Sequence, residues 1–289
     1  MGLNLRFMPY TEGDSDGVEI YRATSKNGER TLIKSLGAGI HEFSDHSVEA
    51  NKVYWYWILN KSAANGDRLS QPMSAPTFID MGPGSKKLLR GDWDFGYLGF
   101  VPVADMFTYA QVQAAAAIQV APDTGTLKGF HKCVVNGRII YIGDILYARS
   151  VNRTTAGKAL LAQDSDVSTT AARLAVNDYE YIIRCPYSST LSTTAVVGTG
   201  DGLDGTIKLS EVGMLASLIL DTDTAGKLSG NKLGDLTNNG VSTFYFSNTY
   251  AANNVVNVFS LVADASIGPA SDMTGNRPFW PVFELVLHE

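Results

Sequence analysis

Apolar and polar residues along this chain alternate in short runs punctuated by glycine, asparagine and proline, a pattern of period two that predicts strands rather than long helices. From Gly17 to Thr24, Val18, Ile20 and Arg22 alternate with Glu19 and Tyr21; a turn at Lys26, Asn27 and Gly28 then leads into a second strand, Thr31 to Leu36. In Lys52 to Leu59, KVYWYWIL, tyrosines and tryptophans alternate, so one strand can dress both of its faces with aromatics. The strongest hairpin signal is Asn136-Gly137, flanked by Phe130–Val135 and Arg138–Ile142. Ile145–Val151 is expected to continue that sheet, and Tyr179–Cys185, Phe244–Phe246 and Val255–Val262 to add further strands. The most apolar run closes the sequence. Pro281 has no N–H to give a ladder, so this last strand should start at Val282 and run to Leu287, as an inner strand with Trp280 as a packing plug at its entry.

Helical spacing occurs twice. Val103–Ile118 combines Asp105 as a cap with an alanine run and is stopped by Pro122, Asp123 and Gly125. Leu209–Leu220 has Ser210 as its cap and Val212, Leu215, Ala216 and Ile219 along one face. The expected fold class is therefore mainly β with a few short helices.

Composition agrees. Hydrophobic residues make up 45% of the chain and charged ones 18%, with 28 glycines and abundant Thr, Ser and Asn. That balance suits packed strands and tight turns and argues against disorder. A net charge of −6 argues against nucleic-acid binding, which needs a basic surface to displace phosphate counterions. The first residues, MGLNLRFMPY, lack the pattern of a signal peptide, and no apolar run is long enough for a spanning helix, so synthesis and folding in a cytosol without membrane insertion are expected.

Candidate chemistry is sparse. Cys133 and Cys185 lie in strand-like segments and read as two small buried hydrophobes, which could pair only if their strands are neighbours. His131 lies two residues before Cys133, but His41, His46 and His288 show no metal-ligand spacing with it, and no metal or cofactor is expected. VVGTGDGLDG, residues 196–205, has glycine spacing like a phosphate loop, but TIKL follows where a helix should begin. DTDTAG, residues 221–226, opens like a calcium loop, yet Ala225 and Lys232 stand where ligands are needed. No GxSxG pentapeptide or Cys/His signature is present, so no catalytic residue is assigned. The Arg90-Gly91-Asp92 tripeptide is better explained as a turn before Trp93 than as an adhesion loop. Trp93, Asp92, Asp94 and Tyr97 are the candidate ligand-binding residues, an aromatic and carboxylate group of the kind that holds sugars.

Two resemblances bear on organisation. The strand with GVEIYR, its turn, TLI, the acidic DHSV corner and the aromatic strand resemble the second half of a fibronectin type III domain, although the tryptophan and the long opening strands of that family are missing. RGDWDFGYLG with FTYAQVQAA, then GFHKCVVNGRIIYI, then NDYEYIIRCPYS with LSEVGML, and finally NRPFWPVFELV are together similar to a group of tailed-bacteriophage virion structural proteins. That group carries an SEWxRLM helix whose tryptophan and arginine are replaced here by Val212 and Leu215, so no ligand-contacting role is carried over. The expected organisation is a partial fibronectin-like module over 1–75, a linker and aromatic/helical connector over 76–125 that begins within the polar stretch 61–84, and a β-rich virion domain over 126–289. The resemblance implies a non-enzymatic component of the tail, baseplate or collar, assembled in the host cytoplasm. Its partners would be other virion proteins, sister copies and, in host adsorption, a surface glycan. A polysaccharide depolymerase and a purely structural capsid or collar decoration protein are the alternatives.

Overall fold

The computed structural model describes residues 2–7, 15–123, 125–151, 172–187, 211–220, 243–246, 256–260, 267–270 and 277–287. The fold is mainly β, and the chain divides into two compact units, residues 1–80 with 287–289, and 81–286.

In the first unit β1 (Leu3–Arg6), β2 (Gly17–Ala23), β3 (Thr31–Gly37), β4 (Glu42–Asp45), β5 (Val53–Lys61), β6 (Arg68–Leu69) and β7 (Met73–Pro76) follow in order. β1 and β4 form a ribbon, while the remaining strands make a five-stranded antiparallel sheet in the order β3-β2-β5-β6, with β7 also on β5. The aromatic alternation of β5 dresses both faces as expected: Tyr54, Tyr56 and Ile58 join Val18 and Ile20 in one cluster, and Trp55 and Trp57 join Ala23 in the other. The turn at Lys26, Asn27 and Gly28 forms as expected, the Gly28 N–H donating to Ser25 O at 3.1 Å within the seven-residue connection between β2 and β3. The stretch 61–84, expected as linker or loop, contributes β6 and β7, because a polar edge strand needs only a partner ladder. Its prolines, Pro72 and Pro76, mark it as an edge.

In the second unit come β8 (Arg90–Gly91), β9 (Phe95–Pro102), a 3-10 turn (Val103–Asp105), α1 (Tyr109–Ala116), β10 (Gly129–Val135), β11 (Arg138–Gly143), β12 (Ala148–Val151), β13 (Ala172–Val176), β14 (Tyr179–Arg184) and α2 (Glu211–Leu220). β15 (Thr243–Phe246), β16 (Val256–Ser260) and β17 (Ile267–Ala270) form a small antiparallel sheet, and β18 (Arg277–Phe279) and β19 (Val282–Leu285) close the order. The principal sheet has seven antiparallel strands in the order β13-β14-β19-β11-β10-β9-β8. The closing strand is indeed an inner one, seated between β14 and β11. It starts after Pro281, and Trp280, 1% exposed, plugs its entry by donating Nε1–H to Gly143 O at 2.9 Å.

Asn136 and Gly137 take φ of 50° and 74° in the two-residue β10–β11 turn, as an Asn-Gly hairpin requires. β12, expected to extend this sheet, instead pairs with β18. Asp105 is not a helix cap: it lies in the 3-10 turn, and α1 is capped by Thr108, whose side chain accepts the Gln111 N–H while Gln111 Oε1 accepts the Thr108 N–H at 2.8 Å. α2 forms within the expected range; its buried residues include Met214, Leu215 and Leu218, of which Leu215 belongs to the expected face, while position 210, residues 196–205 and 221–226, and the side chains of Val212, Ala216 and Ile219 lie outside the described residues.

Residues directly opposite in antiparallel strands share a face. Lys132, Tyr141, Phe283 and Ile183 therefore lie on one face, where Phe107 packs on Phe130, Phe283 and Tyr181 at centroid distances of 4.7, 4.8 and 5.0 Å. Cys133, Ile140, Glu284 and Ile182 lie on the other.

Candidate functional site

Three of the charged residues in the second unit sit inside its most apolar runs: Arg184 between Ile183 and Cys185, Glu284 between Phe283 and Leu285, and Glu211 at the start of the apolar helix α2. A charge in such a position is tolerated only when paired and hydrogen-bonded. β14 and β19 are neighbours, and their register sets Arg184 and Glu284 diagonally on the same face. Arg184 Nε and Nη2 donate to Glu284 Oε2 at 2.9 and 2.6 Å. Nη1 and Nη2 donate to the two oxygens of Glu211 at 2.6 and 2.7 Å, a bidentate fork, and Nη1 also donates to Cys185 O at 3.0 Å. All five guanidinium N–H groups are thus used.

The surroundings complete the clasp. Glu211 Oε2 accepts the Tyr187 N–H at 3.0 Å, and the position of Glu211 in the first turn of α2 sets its negative charge at the positive end of the helix dipole. The Tyr187 ring has the Arg184 guanidinium at 3.8 Å and that of Arg138 at 4.9 Å, and Arg138 Nε lies 3.8 Å from Glu284 Oε1. Two arginines and two glutamates balance. Arg184 is 1% exposed; burial opposes its charge, but Glu211 and Glu284 outweigh that and hold the guanidinium protonated well above its ordinary range. Cys133 is pushed the opposite way in reactivity: burial, with the Glu211 carboxylate adding to it, raises its thiol pKa far above the usual range, so it is no nucleophile at neutral pH. With all five Arg184 N–H groups engaged, the cluster holds α2 against the sheet.

A second polar cluster lies in the first unit. Asp45, 2% exposed, accepts Arg22 Nη1–H at 2.7 Å, Tyr56 O–H at 2.9 Å, and the Ser47 N–H and O–H at 3.0 and 2.7 Å. Burial pushes its pKa up, but the hydrogen bonds from Ser47, Tyr56 and Arg22 together hold it below the ordinary aspartate value. This ties the corner after β4 to β2 and β5.

The residues singled out from sequence are placed as follows. Asp92 accepts the N–H groups of Asp94 and Phe95, both at 2.9 Å, closing the turn between β8 and β9, and Gly91 has φ of 77°, which accounts for the glycine of the Arg-Gly-Asp tripeptide. Trp93 and Asp94 in that turn are half-buried. Tyr97 is buried, with its hydroxyl 3.1 Å from His131 Nδ1. Cys133 and Cys185 are both buried thiols outside any disulfide. β11 and β19 separate their strands, so three steps of about 4.8 Å divide them, beyond disulfide reach. Among the described residues no group of His, Cys, Asp and Glu is placed to hold a metal, and no helix is long and apolar enough to cross a membrane. The Arg184 clasp was missed as a site in sequence; its signal was a charged residue flanked on both sides by strand-forming apolar ones.

No protein-family model matches the chain, and no curated protein does. Among solved structures, a match to pectate lyase Pel3 from Pectobacterium carotovorum has 22% identity, covers 31% of this chain and 28% of that one, and gives a TM-score of 0.24. The chain thus spans less than a third of that enzyme's length, and at this TM-score the likeness carries no argument about fold or activity.

Proposed function

We propose that the chain is a non-enzymatic structural component of a tailed-bacteriophage virion, attached at the tail, baseplate or collar, with the larger unit presented for host adsorption. One observation carries this reading: the four segments that resemble phage virion proteins are assembled around one sheet. RGDWDFGYLG supplies β8 and β9, GFHKCVVNGRIIYI supplies β10 and β11, NDYEYIIRCPYS supplies β14, and NRPFWPVFELV supplies β19, so six of the seven strands come from them. LSEVGML begins α2, and the Arg184 clasp joins a residue from each of the last two strands to that helix. Segments scattered over about two hundred residues share a resemblance because they are one structural element, which is the pattern expected of a common scaffold.

The test is proteomic and microscopic. Purified virions of the phage that encodes the chain should contain it in stoichiometric amounts, and gold-labelled antibody should mark one end of the tail or the collar. Virions that lack the chain would end the reading. Saturable binding of the purified protein to host-surface polysaccharide without chain cleavage is the expected adsorption result; cleavage would replace it with a depolymerase.

A further inference from the structure

The sheet of the first unit has one closed edge and one open edge. On the closed side β7 covers Val53–Tyr56 and β6 covers Leu59 and Asn60. Ser70 fills the gap, donating its N–H to Ile58 O at 2.8 Å and accepting the Ile58 N–H on Oγ at 2.9 Å. These outer strands are two and four residues long and flanked by Pro72 and Pro76, which discourages further pairing. On the open side β3 has seven residues, no proline and one charge, Lys34, and among the described residues it pairs with β2 alone. Five of its residues are exposed, and the other two, Ile33 and Leu36, are half-buried. From Lys34 to Gly37 it keeps regular register with Ile20 to Gly17; the bulge lies beyond, where Ile33 is passed over.

We infer that this edge pairs with the same edge of a second copy, antiparallel, about a two-fold axis through Ser35. The choice of a second copy rests on self-complementarity. An axis through Lys34 would oppose two ammonium groups, which is unfavourable. Moving it one residue on sets Ser35 against Ser35 of the partner subunit and lays the methylene stem of Lys34 over Leu36 of the partner subunit. Lys34 and Leu36 lie opposite Ile20 and Val18, so the cluster of Val18, Ile20, Tyr56 and Ile58 in one copy would run on into that of the other, covering the exposed part of Leu36. The pairing is a property of the edge and does not rest on the virion reading.

The full chain should sediment as a dimer that dissociates on dilution. Ser35→Lys sets two cations on the axis and should raise the dissociation constant by about tenfold or more, with a melting temperature unchanged at concentrations where the wild type is monomeric, because Ser35 is exposed. Ser35→Cys should give a disulfide-linked dimer with oxidised glutathione, each new bond passing two electrons to it. Thr31→Cys, on the same strand but far from the axis, should not. A wild-type chain that stays monomeric at every concentration, a Ser35→Lys dimer as tight as wild type, or equal cross-linking of both cysteine variants would each overturn the proposal, whether or not the chain is found in virions.

Discussion

Each unit contains an arginine bonded to a buried carboxylate, yet the two clusters solve different problems. Asp45 is 2% exposed, but the side chain of its partner Arg22 keeps 21% of its surface and reaches out to Ser47, so water shares the solvation of the charge. Arg184 keeps 1% and Glu211 3%, so these two charges are solvated by one another. In the first unit the ion pair fastens a corner whose packing is already set by β2 and β5. In the second, the pair is what makes an apolar helix face and an apolar sheet face compatible with charges between them. The lesson is that the same chemical pair is a modest local fastener when half-wet and an all-or-none requirement when dry.

Breaking the dry cluster should show the largest effect. Arg184→Met leaves Glu211 buried without its cation and half-buried Glu284 with Arg138 alone, and should cost about 3–5 kcal/mol in chemical denaturation. Replacing all three by apolar residues of similar volume should return most of that loss. If Arg184→Met alone were neutral, the contrast between the clusters would fail. In the half-wet cluster Tyr56→Phe removes one hydrogen bond to a carboxylate and should cost about 1.5–3 kcal/mol.

The sign of its pH dependence follows from Asp45. Its folded pKa is lowered, so its contribution is fully present above the ordinary aspartate value of about 3.9 and is lost as pH falls through the lower folded value. Asp45→Asn should flatten the part of the acid-unfolding curve that lies below about pH 4. At the small end, Arg6→Ala should change stability by no more than about 0.5 kcal/mol, since Arg6 and Glu42 meet at 3.7 Å with side chains 88% and 74% exposed.

Period-two alternation and turn chemistry made much of the fold legible. Asn136-Gly137 located a hairpin because only residues that accept positive φ can occupy its two-residue turn. Pro281 located the start of β19 because it cannot donate to the ladder. What stayed hidden depended on partners distant in sequence. β12 reads like its neighbours, and only the arrival of β18 assigns it to another sheet. Thr108 outcompetes Asp105 as a cap because Gln111 lies three residues on and reciprocates its bond. The Arg184 clasp spans separations of 27 and 100 residues, so each member reads locally as an isolated charge in an apolar strand or helix.

The inner position of β19 also orders events in time. A ribosome delivers β8 to β11, then β13 and β14, and only about a hundred residues later the strand that belongs between β11 and β14. Until then the nascent chain holds two partial sheets, each ending in an unpaired apolar strand and each able to join a wrong neighbour. Insertion of β19 closes both edges at once and brings Glu284 to an Arg184 already on the adjoining strand, so the sheet and its ionic lock are completed in one late step. Nascent chains arrested before residue 282 should therefore bind a hydrophobic dye and be cut by protease within 138–143 or 179–184, and chains released beyond residue 285 should not.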